Sequence, residues 1–199
     1  MSDAHAATID VYEPAMEQTY NGKLAMWLFL CSEVMFFAGL LGAYMALRIG
    51  HPENFEFGHD ALHTVENISI ATFNTALLIT SSLTMALAVL KGQQGDRAKQ
   101  RIFLVITALM GLAFLGIKGY EYSVKIQHDL LPRRDLFFAF YWTLTGIHGL
   151  HILAGVLPIL GLAHFSKKRD VSSETEMVGL YWHFVDLVWI FLFPLLYLI

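Results

Sequence analysis

The side chains able to do chemistry in this chain are a few acids and histidines set in apolar surroundings. Glu33 is the one carboxylate in the run Trp27-Leu-Phe-Leu-Cys-Ser-Glu-Val-Met-Phe-Phe-Ala-Gly-Leu-Leu-Gly-Ala-Tyr44. That run is long enough to cross a bilayer, where a charged side chain costs at least ~2.5 kcal/mol and is kept only if neutralised, paired or used. His148 and His151 are three apart in Thr145-Gly-Ile-His-Gly-Leu-His-Ile152, and His183 and Asp186 are three apart in Tyr181-Trp-His-Phe-Val-Asp-Leu-Val-Trp189. On a helix each pair shares one surface.

Two chemistries fit Glu33: a proton-carrying or ligand carboxylate, or a protonated, hydrogen-bonded residue that fixes helix packing. By rise per residue Glu33 and His148 both fall near the membrane middle and are expected to be partners. His148, His151 and His183 could instead ligate a metal or haem, but a helical i, i+3 pair without converging carboxylates is a thin ligand set. A buried, hydrogen-bonded histidine is the plainer reading. His183 and Asp186 are expected to pair, which makes two costly groups tolerable in the apolar zone. Lys118, Glu121 and Lys125 share that spacing and are expected at the outer interface, holding a lipid head group or a partner loop. Trp182 reads as an ordinary interfacial belt residue. His59 and His63 would hold a surface metal only on a helix, and a solvated loop is expected there. No catalytic residue and no metal ligand is assigned.

The elements that position these residues follow from composition. Of 199 residues 56% are hydrophobic and only 15% charged, which fits an all-α, polytopic membrane protein rather than a soluble domain or a β-barrel. Cys31 is the only cysteine, so an internal disulfide and a multi-thiolate metal site are excluded. The net charge of -4, with basic residues confined to short loops, gives no sign of nucleic acid. Residues 1–23 form a polar segment with Asp3, Asp10, Glu13 and Glu17 and no basic n-region, so no cleavable signal peptide is expected. The domain that follows, 24–199, holds five transmembrane helices at about 24–47, 67–90, 102–122, 136–165 and 177–199.

His51-Pro52 stops the first helix, and a polar segment follows it. Hydroxyl and amide side chains in the second helix, from Asn74 to Thr84, mark buried faces. Ala38, Gly42 and Ala46 repeat every four residues opposite Glu33 and are expected to form a tight helix seam, and Gly146, Gly149 and Gly155 to admit another backbone. Lys23, Lys91, Arg97, Lys99, Arg101, Lys167, Lys168 and Arg169 share one side, against Arg48, Lys118, Lys125, Arg133 and Arg134 on the other. The bias predicts a cytoplasmic N-terminus and an external C-terminus.

Ser32-Glu-Val-Met-Phe-Phe-Ala-Gly39, Phe73-Asn-Thr-Ala-Leu-Leu78, Gly119-Tyr-Glu-Tyr122 and the two histidine blocks occur in the order and spacing of subunit III of haem-copper terminal oxidases. Over residues 24–199 the chain resembles that family in its short bacterial form, without the two leading helices of the seven-helix version. The resemblance implies a non-catalytic, multi-pass subunit of an oxidoreductase and translocase complex in the bacterial inner membrane. Such a subunit packs against oxidase subunit I, with subunit II, further small subunits or a supercomplex as other partners. It implies no cofactor in this chain, haem and copper in the partner subunits, and phospholipid in a cleft beside the leading helices, here open or completed by another chain. The implied role is to support proton uptake, to protect the oxygen-reducing centre during turnover, and to line an oxygen route. Glu33 matches the family's intramembrane carboxylate, with His148 as neighbour. Quinol-oxidising relatives often carry aspartate there, which points to the cytochrome c branch. A quinol-oxidase subunit or a nitric-oxide-reductase-associated homologue stays as the alternative, with a membrane haem protein or a small proton transporter more remote.

Overall fold

The computed structural model describes residues 3–62 and 64–198, and the side chains among them apart from those of 3–20, 59, 60 and 65. The acids Asp3, Asp10, Glu13 and Glu17 and the pair His59 and His63 therefore lie outside the described side chains. The described residues form helices joined by turns, without strands: α1 Asp3–Gly50, α2 Glu56–Leu62, α3 Val65–Gln93, α4 Arg97–Gln127, α5 Leu136–Phe165 and α6 Ser172–Tyr197, with a 3-10 turn at Pro52–Asn54. Five stretches are long and apolar enough to cross a membrane: Asn21–Gly50 within α1, Glu66–Gln93 within α3, and α4, α5 and α6.

Local chemistry sets the ends. α1 stops at Gly50 because Pro52 cannot continue the ladder. Thr64 caps α3 by accepting from the Asn67 amide, and Asp96 caps α4 by accepting from the Lys99 amide at 3.1 Å. That amide, and then the Lys99 ammonium, hold the Asp96 carboxyl below the usual carboxylate range. Gly95 takes the left-handed φ of 76° that the α3–α4 turn needs. α4 reaches past the apolar run 102–122 at both ends, since Arg, Ala, Lys and Gln continue a helix readily once the chain is in water.

α3, α4, α5 and α6 close into a ring in which each packs on the next and α6 returns to α3. Trp182 of α6 is its centre and is fully buried. Its indole N–H donates to Ser81 Oγ of α3 at 3.1 Å. A Cβ on Gly111 of α4 would stand 2.7 Å from the indole, and one on Gly155 of α5 2.9 Å. One side chain thus touches all four helices, so the belt position expected for Trp182 is corrected to the core. Gly155 admits this ring rather than a backbone, while Gly146 and Gly149 meet only side chains at ordinary contact distance.

α1 lies outside the ring, against α6 and the adjoining side of α5. Its inward positions Met26, Leu30, Glu33, Phe37, Leu40 and Tyr44 alternate steps of four and three, the 3.5-residue period of a coiled-coil seam. Phe37 meets Phe184 at 6.2 Å, and the Tyr44 hydroxyl donates to the Leu195 carbonyl at 3.4 Å. The seam expected at Ala38, Gly42 and Ala46 is not made within this chain. All three are exposed, and nothing stands within 4 Å of a Cβ placed on Gly42. The bulkier heptad positions bury more apolar area, and they win the contact.

Gly155→Val forces the Trp182 pocket open and is expected to cost about 1–3 kcal/mol. Denaturant titration in detergent, read by tryptophan fluorescence, measures it. Gly161→Ala, whose Cβ meets nothing within 4 Å, should stay within about 0.5 kcal/mol of the parent.

Candidate functional site

Glu33 meets a histidine, but not the one expected. Its Oε2 lies 3.1 Å from His151 Nε2, and each side chain keeps 19% of its surface exposed. Residues three apart on a helix are offset by about 60°. His151 therefore looks out of the ring toward α1, while His148 looks in. Phe37 packs edge-on against the His151 ring at 5.1 Å and shields the pair on one side.

The other ring nitrogen fixes the proton count. His151 Nδ1 is 2.8 Å from the Ile147 carbonyl, which can only accept, so Nδ1 carries a hydrogen. The contact of Nε2 with Glu33 then needs one more proton, whether it sits on the carboxyl or on the ring. With it the pair is neutral. Without it two lone pairs face each other.

His148 is fully buried, stacked on Trp189 at 5.1 Å and edge-on to Phe114 at 5.9 Å, with no hydrogen-bonding partner on either nitrogen. His183 and Asp186 do not pair as expected. His183 Nδ1 lies 2.5 Å from Ser82 Oγ of α3. Asp186 is buried with both oxygens unpartnered, although Ser82 is close enough to interact with it. The same angular offset separates these two residues, and the α3 hydroxyl takes the histidine. Among the described residues no three His, Cys, Asp or Glu side chains converge as a metal site.

Lys118, Glu121 and Lys125 do pair, but they are buried rather than spread along an interface. Glu121 Oε1 accepts from Lys125 at 2.8 Å, from the Tyr141 hydroxyl at 2.8 Å and from the Tyr197 hydroxyl at 2.6 Å. Its Oε2 accepts from Lys118 at 2.8 Å. Lys118 also donates to Tyr197 at 2.6 Å and lies 4.7 Å over the Trp189 ring. One carboxylate thus takes four donors from α4, α5 and α6, and cation–π contact shares the remaining charge.

Tyr141 and Tyr197 are absent from the sequence expectations, because an aromatic residue in an apolar run carries no local sign of its partner. Ser82 is among the hydroxyls expected on a buried face, but His183 is not expected as its partner. The steps of four and three through Glu33 were a usable signal, and they place it on the packed face. Glu121→Gln leaves two buried ammonium groups without a counter-charge. It is expected to destabilise the bundle by about 3–5 kcal/mol, measured by denaturant titration in detergent, whereas Tyr197→Phe removes one donor of four and costs about 1–2 kcal/mol.

Comparison with known proteins gives this geometry a family. Residues 11–199 match the family described as Cytochrome c oxidase subunit III. A cytochrome c oxidase subunit 3 from Bacillus sp. (strain PS3) is 33% identical over 192 residues, covering 93% of this chain and 90% of that protein. One from Thermostichus vulcanus is 35% identical over 181 residues, covering 88% of this chain and 86% of that protein. A cytochrome bo(3) ubiquinol oxidase subunit 3 from Pseudomonas aeruginosa is 32% identical over 202 residues, covering 100% of this chain and 94% of that protein. With five apolar helices spanning the matched region, this chain belongs to the cytochrome c oxidase subunit III family, the third subunits of haem-copper oxidases.

Proposed function

We propose that this chain is a supporting, non-catalytic subunit of an aerobic oxidase in the bacterial inner membrane. It packs beside the oxygen-reducing subunit I, with subunit II in the same complex, and the haem and copper belong to those partners. In that setting the Glu33–His151 pair holds one exchangeable proton at the flank of the bundle, on behalf of proton uptake by the neighbour. The observation that carries the reading is the proton count at this pair. Nδ1 is committed to the Ile147 carbonyl, so the contact at 3.1 Å works only with a shared proton, and both groups keep some access to their surroundings.

The outward surface of α1 supports docking on a partner in the membrane. Only 11% of its apolar window is buried, against 44% for α6. The same helix leaves Trp27, Leu28, Met35 and Phe36 exposed. In the proposed orientation the α3–α4 and α5–α6 turns face the cytoplasm, because they carry most of the basic residues. At that end Lys23 pairs with Glu176 at 3.0 Å, and Gln93 donates to Glu176 at 2.7 Å. Relatives named for cytochrome c and for ubiquinol oxidases match about equally well. The electron donor is set by the partner subunits.

Glu33→Gln keeps the size and the hydrogen bond, since an amide N–H donates to Nε2 without a shared proton. In the assembled oxidase this variant is expected to leave assembly and initial oxygen consumption within about twofold of the parent, yet to lose activity sooner during sustained turnover. Oxygen-electrode traces of inactivation against turnover number measure it. Immediate loss of all activity, or the same lifetime for Glu33→Gln and the parent, would contradict the proposal.

A further inference from the structure

α3 and α5 stand diagonally across the ring, each packed on α4 and α6. On α3, Asn74 belongs to the buried stripe Ala71, Asn74, Leu78, Ser81 and Met85, whose steps of three and four keep one face toward the ring interior. On α5, His148 belongs to the buried stripe Tyr141, Leu144, His148, Ile152 and Ile159. Trp189 of α6 sets the two at one level. Its indole N–H donates at 2.9 Å to Thr75, the neighbour of Asn74, and its ring stacks on His148 at 5.1 Å. Inward side chains at one level on diagonal helices face each other across the ring axis. Asp186 enters the same space from α6. It lies between Trp182 and Trp189, whose indoles reach α3 at Ser81 and Thr75, and so it is within about one turn of the other two.

Asn74, His148 and Asp186 are buried, and each has both of its polar side-chain atoms unpartnered among the described residues. Polar atoms at this depth are costly unless something bonds them. The nearest hydroxyls are already engaged. Thr75 and Ser81 each donate to their own helix and accept an indole N–H, and Ser82, though close to Asp186, is in contact with His183. The three orphaned side chains offer a mixed set: two donors and a carbonyl on the amide, one N–H and one lone pair on a neutral imidazole, and carboxyl oxygens. A cation there would meet the N–H groups and Lys118, whose Nζ lies 4.7 Å over the Trp189 ring. An anion would meet the Asp186 oxygens. Water both donates and accepts, and a buried water takes two to four polar partners, so it fits this set.

We propose that the ring encloses a hydration site at the level of Trp189, in which buried water links Asn74 of α3, His148 of α5 and Asp186 of α6. The water completes hydrogen bonds that these side chains do not make with one another, and it ties the two diagonal helices together in the middle of the span. The site uses neither Glu33 nor His151, and so it stands or falls independently of the supporting role proposed above.

X-ray hydroxyl-radical footprinting of the full-length chain in maltoside detergent tests it, because radicals form from bound water where that water lies. Phe114, edge-on to His148, and Phe138, near the start of α5, are equally inaccessible to bulk solvent. Phe114 is expected to be oxidised several-fold faster than Phe138, and the double variant Asn74→Leu/His148→Phe to bring it down to the rate of Phe138. Denaturant titration gives a second reading. Each single variant leaves the bonds of its partners unmade and is expected to lower the folding equilibrium constant about tenfold. The double variant should lower it by less than the product of the two, since both act on one shared network. Oxidation of Phe114 no faster than Phe138, oxidation that persists in the double variant, or single effects that simply multiply would overturn the proposal. Where a variant does not fold, the comparison of Phe114 with Phe138 in the parent decides.

Discussion

The carboxylate of Glu121 and its four donors set the terms for the rest of this bundle. In a membrane span there is no water to satisfy a polar side chain, so any charge brought in must be matched within the protein. Here α4 brings two ammonium groups and one carboxylate, and α5 and α6 each contribute a phenol to complete the shell. The helices cannot slide past one another without breaking that shell. The register of α4, α5 and α6 is therefore held by polar geometry at one end and by Trp182, wedged against Gly111 and Gly155, further along the ring.

With the ring closed in this way, α1 has only an outer groove to occupy. It does so through a 3.5-residue seam in which Glu33 takes one of the inward positions. A carboxylate in a packing seam is costly unless its partner is in place, and His151 is that partner. Because both groups sit between α1 and the ring rather than inside it, they remain partly exposed. The interior histidine, His148, is by contrast walled in by Trp189 and Phe114.

The two clusters differ in kind. One is saturated with donors and internal. The other is a single contact with partial exposure. Asp186, with neither oxygen partnered, and His183 on Ser82 lie between these extremes and show that the ring tolerates polar groups that the helix offset leaves apart.

Much of this was legible in the residues themselves. The length and composition of the apolar runs determined five membrane helices, because a span of hydrocarbon admits little else, and the helix stop before Pro52 follows from a missing N–H. Spacing alone paired Lys118, Glu121 and Lys125, since neighbours three and four apart on one helix meet whatever the fold. The same rule failed for His183 and Asp186, and rise per residue chose His148 for Glu33 where the structure has His151. There the outcome depends on which face of each helix the neighbours cover, and a 60° difference decides whether a ring enters the core or reaches α1. The Tyr141 and Tyr197 donors, the place of Trp182 and the outward turn of Ala38, Gly42 and Ala46 likewise came only from tertiary structure. A helix carries its own hydrogen bonds and its local pairs in the sequence. Its rotation about its axis is set by what packs against it.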